Sequence, residues 1–519
     1  MDRGSVKQTV SGAKMNIPAA LNHSRNRNPQ KPAIVAGERS WTYAELDDFT
    51  DNIAANLLIA GLQQGDRVAF HLLNGPELAL GYIGCLKAGG IAVPINTRLK
   101  GPEIDYILRH SGAIGYIGQP ELYAGLGISC PAIDSLELRY LTGVAPDAQA
   151  RSFDDLLVAT NGFFAGPEIS SDQIAAILYT SGTTARPKGV MHTHESLAQT
   201  AQAMGQMGLD RNQVAVVMTS MTHLIGFGMM LLSGLVNGAT ILISRPFDFK
   251  STVQAIAHQR GTYLLGLPVM FHGLIQAQAE LRSDVSSGEF YFCGGDSVPA
   301  ALQEAFANAF GPVCECYGAT EVAPAAWNRP EETRVGSIGY PAAGTEFRLI
   351  DADGADVRPG EVGEICIQGP HLMVGYWQDP EATSGAIRNG WFHTGDLARR
   401  DEDGFYWFVG RKKEIIIRGG SNISPLEIEA VFYHHPAVCE VGVAGRSHPV
   451  WGEVVIAFVV VRPGYTVSED ELLTFARERL ADYKVPESII FREELPKGIS
   501  GKILRRALGQ EEDALAARI

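Results

Sequence analysis

The chain reads as an α/β protein. It has a large N-terminal domain of parallel-rich sheets flanked by helices, a small β-rich subdomain, and a small α+β C-terminal domain. Short apolar runs alternate with helical patterns through the first part of the chain, as parallel sheets covered by helices on both faces require. After about Arg334 the texture changes to short β segments separated by Asp353-Gly354, Pro359-Gly360 and Asp403-Gly404 turns. A compact α+β tail follows from about Arg411. The expected division is therefore 1–410 and 411–519, and 519 residues are more than one small core accommodates.

The elements follow in order. Residues up to about Lys14 are polar and small, as in a frayed tail, and Met15 is an alternative start. Ala33-Ile34-Val35 and Ser40-Trp41-Thr42 read as strands, and Thr42 with Glu45 forms a capping box that opens a helix. Asp66 to Leu73 is a strand, Glu77 to Ala88 a helix stopped by Gly89-Gly90, and Ile91 to Pro94 a strand. Ile174 to Leu178 is a buried strand. Val214 to Thr219, Thr240 to Ser244 and Tyr263 to Gly266 are strands, with helices over Ile225 to Leu235 and Ser251 to His258. Strands over 289–293 and Val313 to Cys316 run into Gly294-Gly295-Asp296 and Tyr317-Gly318, the kind of strand end where open α/β sheets bind ligands. In the tail, 414–417 is extended, Pro425 to Tyr433 is a helix, Val438 to Val443 and Val454 to Val461 are strands, and Glu469 to Arg479 is a helix.

Composition narrows the partners. Hydrophobic residues make up 45% and charged residues 19%, the balance of a soluble globular protein. A net charge of -15 argues against nucleic acid, which needs a basic footprint. Seven scattered cysteines, an odd number without paired spacing, suggest reduced thiols, and Cys314 and Cys316 read as small buried residues. No apolar run is long enough to span a membrane, and the start lacks an apolar signal core, so the cytoplasm is the expected address.

The stretch Tyr179-Thr180-Ser181-Gly182-Thr183-Thr184-Ala185-Arg186-Pro187-Lys188-Gly189 carries the strongest chemical signal. Hydroxyls and backbone N–H groups donate hydrogen bonds, glycine admits close approach, and a lysine balances negative charge; together they suit a polyphosphate. Tyr317-Gly318-Ala319-Thr320-Glu321 offers an aromatic face for a base and a carboxylate suited to Mg²⁺. Asp396, in Trp391-Phe392-His393-Thr394-Gly395-Asp396, can accept from ribose hydroxyls. His393 is read as structural. Gly410-Arg411-Lys412-Lys413-Glu414 supplies cations, and Lys502 stands on a Gly-flanked loop near the C-terminus.

In this order, these motifs resemble the adenylate-forming superfamily of acyl- and aryl-CoA ligases, peptide-synthetase adenylation domains and beetle luciferases, over about Lys31 to Arg506. Ala185 departs from the usual glycine. The resemblance implies ATP, Mg²⁺ and coenzyme A as cofactors, and an active site between a large and a small domain. It implies that Thr180, Ser181, Gly182, Thr183, Thr184 and Lys188 form the phosphate loop. By the same resemblance Gly294, Gly295, Asp296 and Tyr317 would surround adenine, Gly318 and Thr320 would also bind the cofactor, and Asp396 with Arg411 would hold the ribose. Glu321 and Thr183 serve the metal, Lys413 is the hinge, and Gly419 and Gly420 line the pantetheine tunnel. Lys502, Glu321, Thr184 and His223 form the catalytic set. Lysine suits the adenylation step because a compact cation can offset charge as one anion attacks another.

Met221 to Gly228 resembles the segment entering the acid pocket, with His223, Leu224, Ile225, Phe227, Gly228 and Ala319 as its residues and Gly226 and Gly228 leaving room. Amino-acid-activating relatives carry Asp where Leu224 stands, and a buried α-ammonium would be unpaired here. A fatty or aryl carboxylic acid is the expected substrate and CoA the expected acceptor. A separate carrier protein and a luciferase-like oxygenase are the alternatives, and a homodimer is compatible.

Overall fold

The computed structural model describes residues 15–126, 129–143, 150–160, 164–180, 187–296, 298–419, 421–498, 502–505 and 507–509. The chain forms two compact units, one of residues up to Arg245 with Pro370–Asp379, the other of Pro246–Gly369 with the residues from Pro380 onward. The mixed α/β architecture with parallel sheets in the N-terminal half is as expected from sequence. Among the described residues no helix is long and apolar enough to cross a membrane.

The first unit contains an eight-stranded sheet. Its parallel part runs Ile174–Thr180, Ile91–Pro94, Arg67–His71, Gly115–Gly118, Leu138–Leu141 and Arg151–Ser152. Lys188–Thr193 returns antiparallel to Ile174–Thr180, in register so that Thr180 faces Lys188, and Gly375–Tyr376 pairs with its other edge. A further group of strands, Val214–Val217, Thr240–Ile243 and Pro32–Ala36, is parallel, with Arg39–Thr42 antiparallel to the last.

Helix Pro76–Lys87 is buried along every residue from Leu78 to Lys87, which accounts for its lack of a polar face. It lies close against helix Tyr43–Ile59: a Cβ on Gly84 would come within 2.3 Å of Ile53, so that position admits no side chain. The one cation on the buried helix, Lys87, is neutralised by Asp47 at 2.5 Å and Asp51 at 2.6 Å. The capping box forms as read, with Thr42 and Glu45 satisfying each other's backbone donors.

In the second unit Tyr263–Gly266, Phe290–Gly294 and Cys314–Ala319 are parallel, and Val322–Trp327 folds back antiparallel. A smaller antiparallel sheet holds Glu346–Ile350, Val362–Gln368, Trp391–Arg400 and Tyr406–Arg411. Gly354, Gly360 and Gly404 have φ of 85, 90 and 92°, as their turns require. The tail sheet is dominated by the hairpin Val438–His448 with Gly452–Val461, and Ser488–Phe491 runs parallel to the latter. Helices Pro425–Tyr433 and Glu469–Arg477 belong to the same tail, whose core gathers Ile428, Phe432, Val441, Ala457, Leu472 and Ile489.

Two strand readings needed correction. The first hairpin strand extends beyond Val443 to His448, because pairing through His448↔Gly452 overrides the weak β preference of Gly445, Arg446 and Ser447. Tyr317 does not end its strand. Cross-strand pairing with Val322–Trp327 carries the strand on to Ala319, leaving Thr320-Glu321 as the turn.

Candidate active site

Residues 181–186, and with them Ser181, Gly182, Thr183 and Thr184 of the expected phosphate loop, lie outside the described residues, as does Gly420. The stems of the expected phosphate loop are described. Tyr179 and Thr180 end one strand, and Lys188 opens the next opposite Thr180.

Helix Gly101–Ser111 grips both stems. Tyr106 donates its hydroxyl hydrogen bond to the Pro187 carbonyl at 3.2 Å, and His110 Nδ1 meets the Tyr179 hydroxyl at 2.8 Å. The two gripping rings stack on each other, 5.2 Å between centroids. Trp377 closes the cluster, donating from Nε1 to the His110 carbonyl at 3.0 Å and from its backbone N–H to Gly189 at 2.7 Å. Burial pushes the Tyr179 hydroxyl up and the His110 imidazole down, so the pair is neutral. Lys188 Nζ sits 4.8 Å over the Tyr376 ring, a cation–π contact that leaves its hydrogen-bond donors usable. Gly189 has no room for a side chain, since a Cβ would come within 2.7 Å of Ile177.

The segment expected to enter the acid pocket is tied down at its start. Asn74 accepts from the Met221 N–H at 2.8 Å and donates to the Thr219 carbonyl at 2.8 Å, and Tyr82 donates to the Met221 carbonyl. It then enters a π-helix, Ile225–Leu232, a wide turn often found at functional sites. His223 and Ile225 are half-buried. Asn96 Nδ2 lies 2.9 Å from His223 Nε2.

One expectation for this segment is corrected. Phe227 is fully buried and packs edge-on against Tyr82 at 4.8 Å. Leu224 is likewise buried. Gly226 and Gly228 do not leave room: added Cβ atoms would meet the Ser220 carbonyl at 2.2 Å and Leu224 at 2.7 Å. These glycines permit close packing.

In the second unit the nucleotide candidates converge. Gly294 pairs with Cys316 across the sheet, and a Cβ there would strike the Cys316 carbonyl at 2.2 Å. Gly295 has φ of 80°, a left-handed turn that delivers the half-buried Asp296. Tyr317 donates to Asp396 Oδ2 at 2.7 Å, and Arg411 approaches Asp396 Oδ1 at 3.4 Å. The Asp396 side chain is 11% exposed against 48% for Arg411, so the carboxylate is the fixed partner and the guanidinium the adjustable one. Burial pushes the Asp396 carboxyl up, opposed by Arg411 and the Tyr317 hydrogen bond. Thr320 and Glu321 are half-buried at the hairpin tip beside Gly318 and Ala319.

Lys502 shares this electrostatic field. Burial draws its ammonium below the usual lysine range, and Asp296, Asp396 and Glu414 oppose that. Its segment is anchored by Arg505, which makes two 2.7 Å hydrogen bonds to Glu429 and reaches Glu414 at 3.4 Å. Glu429 also accepts from the Val443 N–H at 2.8 Å, and Leu508 is buried in the cluster with Leu495 and Phe458. Lys413 is exposed. Gly419, at φ 57°, donates to the Trp451 carbonyl at 2.8 Å.

On strand Cys314–Ala319, Glu315 is buried, accepting from Gln303 Nε2 at 2.5 Å and from Gly336 N–H at 2.7 Å; burial pushes its carboxyl up to about 7. Among the described residues no group of three or more His, Cys, Asp or Glu could hold a metal ion. Glu321, half-buried at the hairpin tip, is the carboxylate that the sequence offers for Mg²⁺.

Residues 21–377 match the AMP-binding enzyme family, and 427–502 match the AMP-binding enzyme C-terminal domain. The chain belongs to the AMP-binding enzyme family. It is 36% identical to a feruloyl-CoA synthase of Amycolatopsis sp over 92% of this chain and 95% of that protein. It is 33% identical to a long-chain-fatty-acid–CoA ligase of Salmonella typhimurium over 94% and 93%. Among solved structures, an anthranilate CoA ligase in complex with anthranoyl-AMP superposes with a TM-score of 0.91 at 28% identity, covering 98% of each chain.

Sequence reasoning did not find Asn96, Tyr106, His110, Trp377, Glu429 or Arg505. Apart from Arg505, three residues beyond Lys502, they lie far from the motifs they serve and had no local signal.

Proposed function

We propose that this AMP-binding enzyme is an ATP-dependent aryl carboxylic acid–CoA ligase. A carboxylate oxygen attacks the α-phosphorus of ATP, pyrophosphate leaves, and an acyl-adenylate forms. The CoA thiol then attacks the acyl carbonyl, its proton passes to solvent, and AMP leaves.

Asp396 and Arg411 hold the ribose, the strand ends at Gly294 to Asp296 and Tyr317 to Thr320 receive the adenine, and Thr180 to Lys188 take the phosphates. Mg²⁺, with Glu321 as its protein ligand, supplies charge neutralisation on those phosphates. Lys502 offsets charge developing during the attack. The tail from Arg411 is the lid domain, and Lys413 is the hinge on which it exchanges the two half-reactions.

The observation that carries the adenylation reading is the convergence of Tyr317, Asp396 and Arg411 with the field of Lys502. The buried Leu224, where an amino-acid-activating site needs an anion, supports an acid without an α-ammonium. Similarity to the feruloyl-CoA synthase supports an aryl acid, and that to the long-chain ligase keeps fatty acids as the second reading. ATP–pyrophosphate exchange across aryl, fatty and amino acids, repeated with CoA and with a phosphopantetheinylated carrier, tests both. Fastest exchange with a fatty acid would replace the substrate assignment. Formation of ADP would remove the adenylation reading.

A further inference from the structure

The Asn96–His223 pair determines more than a contact. The two ends of a side-chain amide are distinguished by their partners. Asn96 Oδ1 accepts from the Arg98 backbone N–H at 2.9 Å, which only an oxygen can do. The other end, 2.9 Å from His223 Nε2, is therefore the NH₂ group. A donor facing Nε2 requires that nitrogen to accept, and the proton of a neutral imidazole must then sit on Nδ1. A ring protonated on both nitrogens would set two donors against each other.

We propose that Asn96 is the positioning residue of His223, holding it as the Nδ1–H tautomer so that it donates a hydrogen bond to the acid substrate's carboxylate. This rests on reading Met221 to Gly228 as the entrance to the acid pocket. The main chain that carries the ring is itself tied down: His223 N–H donates to the Ser220 carbonyl at 3.2 Å, and its own carbonyl accepts from Phe227 N–H at 2.8 Å. The ring is thus mounted at the start of the π-helix, and Asn96, just beyond strand Ile91–Pro94, sets which nitrogen carries the proton. A carboxylate meeting an acceptor nitrogen would be repelled, so the tautomer decides whether this side chain aids or opposes acid binding.

Asn96→Asp tests the assignment with little change of shape. The introduced carboxylate keeps an oxygen for the Arg98 N–H but turns a second oxygen towards Nε2, drawing the proton there. The KM for the acid should rise about tenfold or more at pH 8, the loss of one hydrogen bond to a charged group, while the KM for ATP stays put. Nitrogen-15 NMR of labelled histidine should show the proton on Nδ1 in the parent and on Nε2 in the variant. In a His223→Phe background Asn96→Asp should add nothing. An Nε2–H tautomer in the parent, or an equal effect of Asn96→Asp with and without His223, would overturn the positioning role and leave the pocket reading standing. An unchanged acid KM in His223→Phe alone would instead overturn the pocket reading.

Discussion

The two units hold their candidate residues by different physics. In the first, the phosphate-loop stems are fixed by neutral contacts: Tyr106 to Pro187, His110 to Tyr179, and Trp377 to His110 and Gly189. In the second, charged pairs do the same work: Arg411 with Asp396, Lys412 with Glu364 at 2.9 Å, and Arg505 with Glu429 and Glu414. Neutral hydrogen bonds are worth about 1 kcal/mol each and barely sense salt or pH. Buried charges are expensive to leave unpaired and respond to both. The stems at Tyr179–Thr180 and Lys188 should therefore tolerate conditions that disturb the region of Asp396, Arg411 and Lys502.

The sharpest way to separate the two is at Lys502. Lys502→Ala should lower adenylate formation about 10³-fold, or ~4 kcal/mol, while thioester formation from supplied acyl-adenylate is largely retained. Equal loss in both half-reactions would remove the assignment. Next comes Arg505→Ala, which strands the buried Glu429 carboxylate and should cost about 3 kcal/mol in urea unfolding, most steeply at neutral pH. A cost under about 1 kcal/mol would mean the pair acts as a surface bridge.

Glu315 supplies a pH handle. Its folded value of about 7 lies above the ordinary 4.5, so the folded state binds the proton more tightly. Its contribution is fully present below pH 4.5 and is lost as pH rises through 7. Glu315→Gln should flatten that fall and stabilise the protein at pH 8 by about 2–3 kcal/mol, read from melts at several pH values. A parallel pH profile in the variant would contradict this. The smallest effect belongs to the neutral clamp: Tyr106→Phe should raise the KM for ATP about fivefold, from one lost hydrogen bond, with the acid KM unmoved and little salt dependence. Strong salt dependence of that change would erase the contrast between the units.

Much of this was legible in the chain. Thr42 and Glu45 announced their helix, Gly354, Gly360 and Gly404 their turns, and the long apolar runs their strands, because these signals are local. Asp396 and Arg411 could be paired only through the resemblance, yet they do meet. What stayed hidden depends on contacts between distant segments. Gly226 and Gly228 looked like space until Ser220 and Leu224 filled it. His110 and Tyr179 stand 69 residues apart, and nothing in either neighbourhood names the other.

The placement of charges around Lys413 has a mechanical consequence. Arg411–Asp396 and Lys412–Glu364 precede it, whereas Arg505–Glu414 and Arg505–Glu429 lie after it. Twisting the backbone at that residue would carry the later set as one stiff handle and leave the earlier set clamped to its own sheet. The bond from the Ser424 hydroxyl to the Val409 carbonyl would break, along with the pull of Asp296 on Lys502. With the hinge proposed at Lys413, all four of those bridges stay intact on their own side of it.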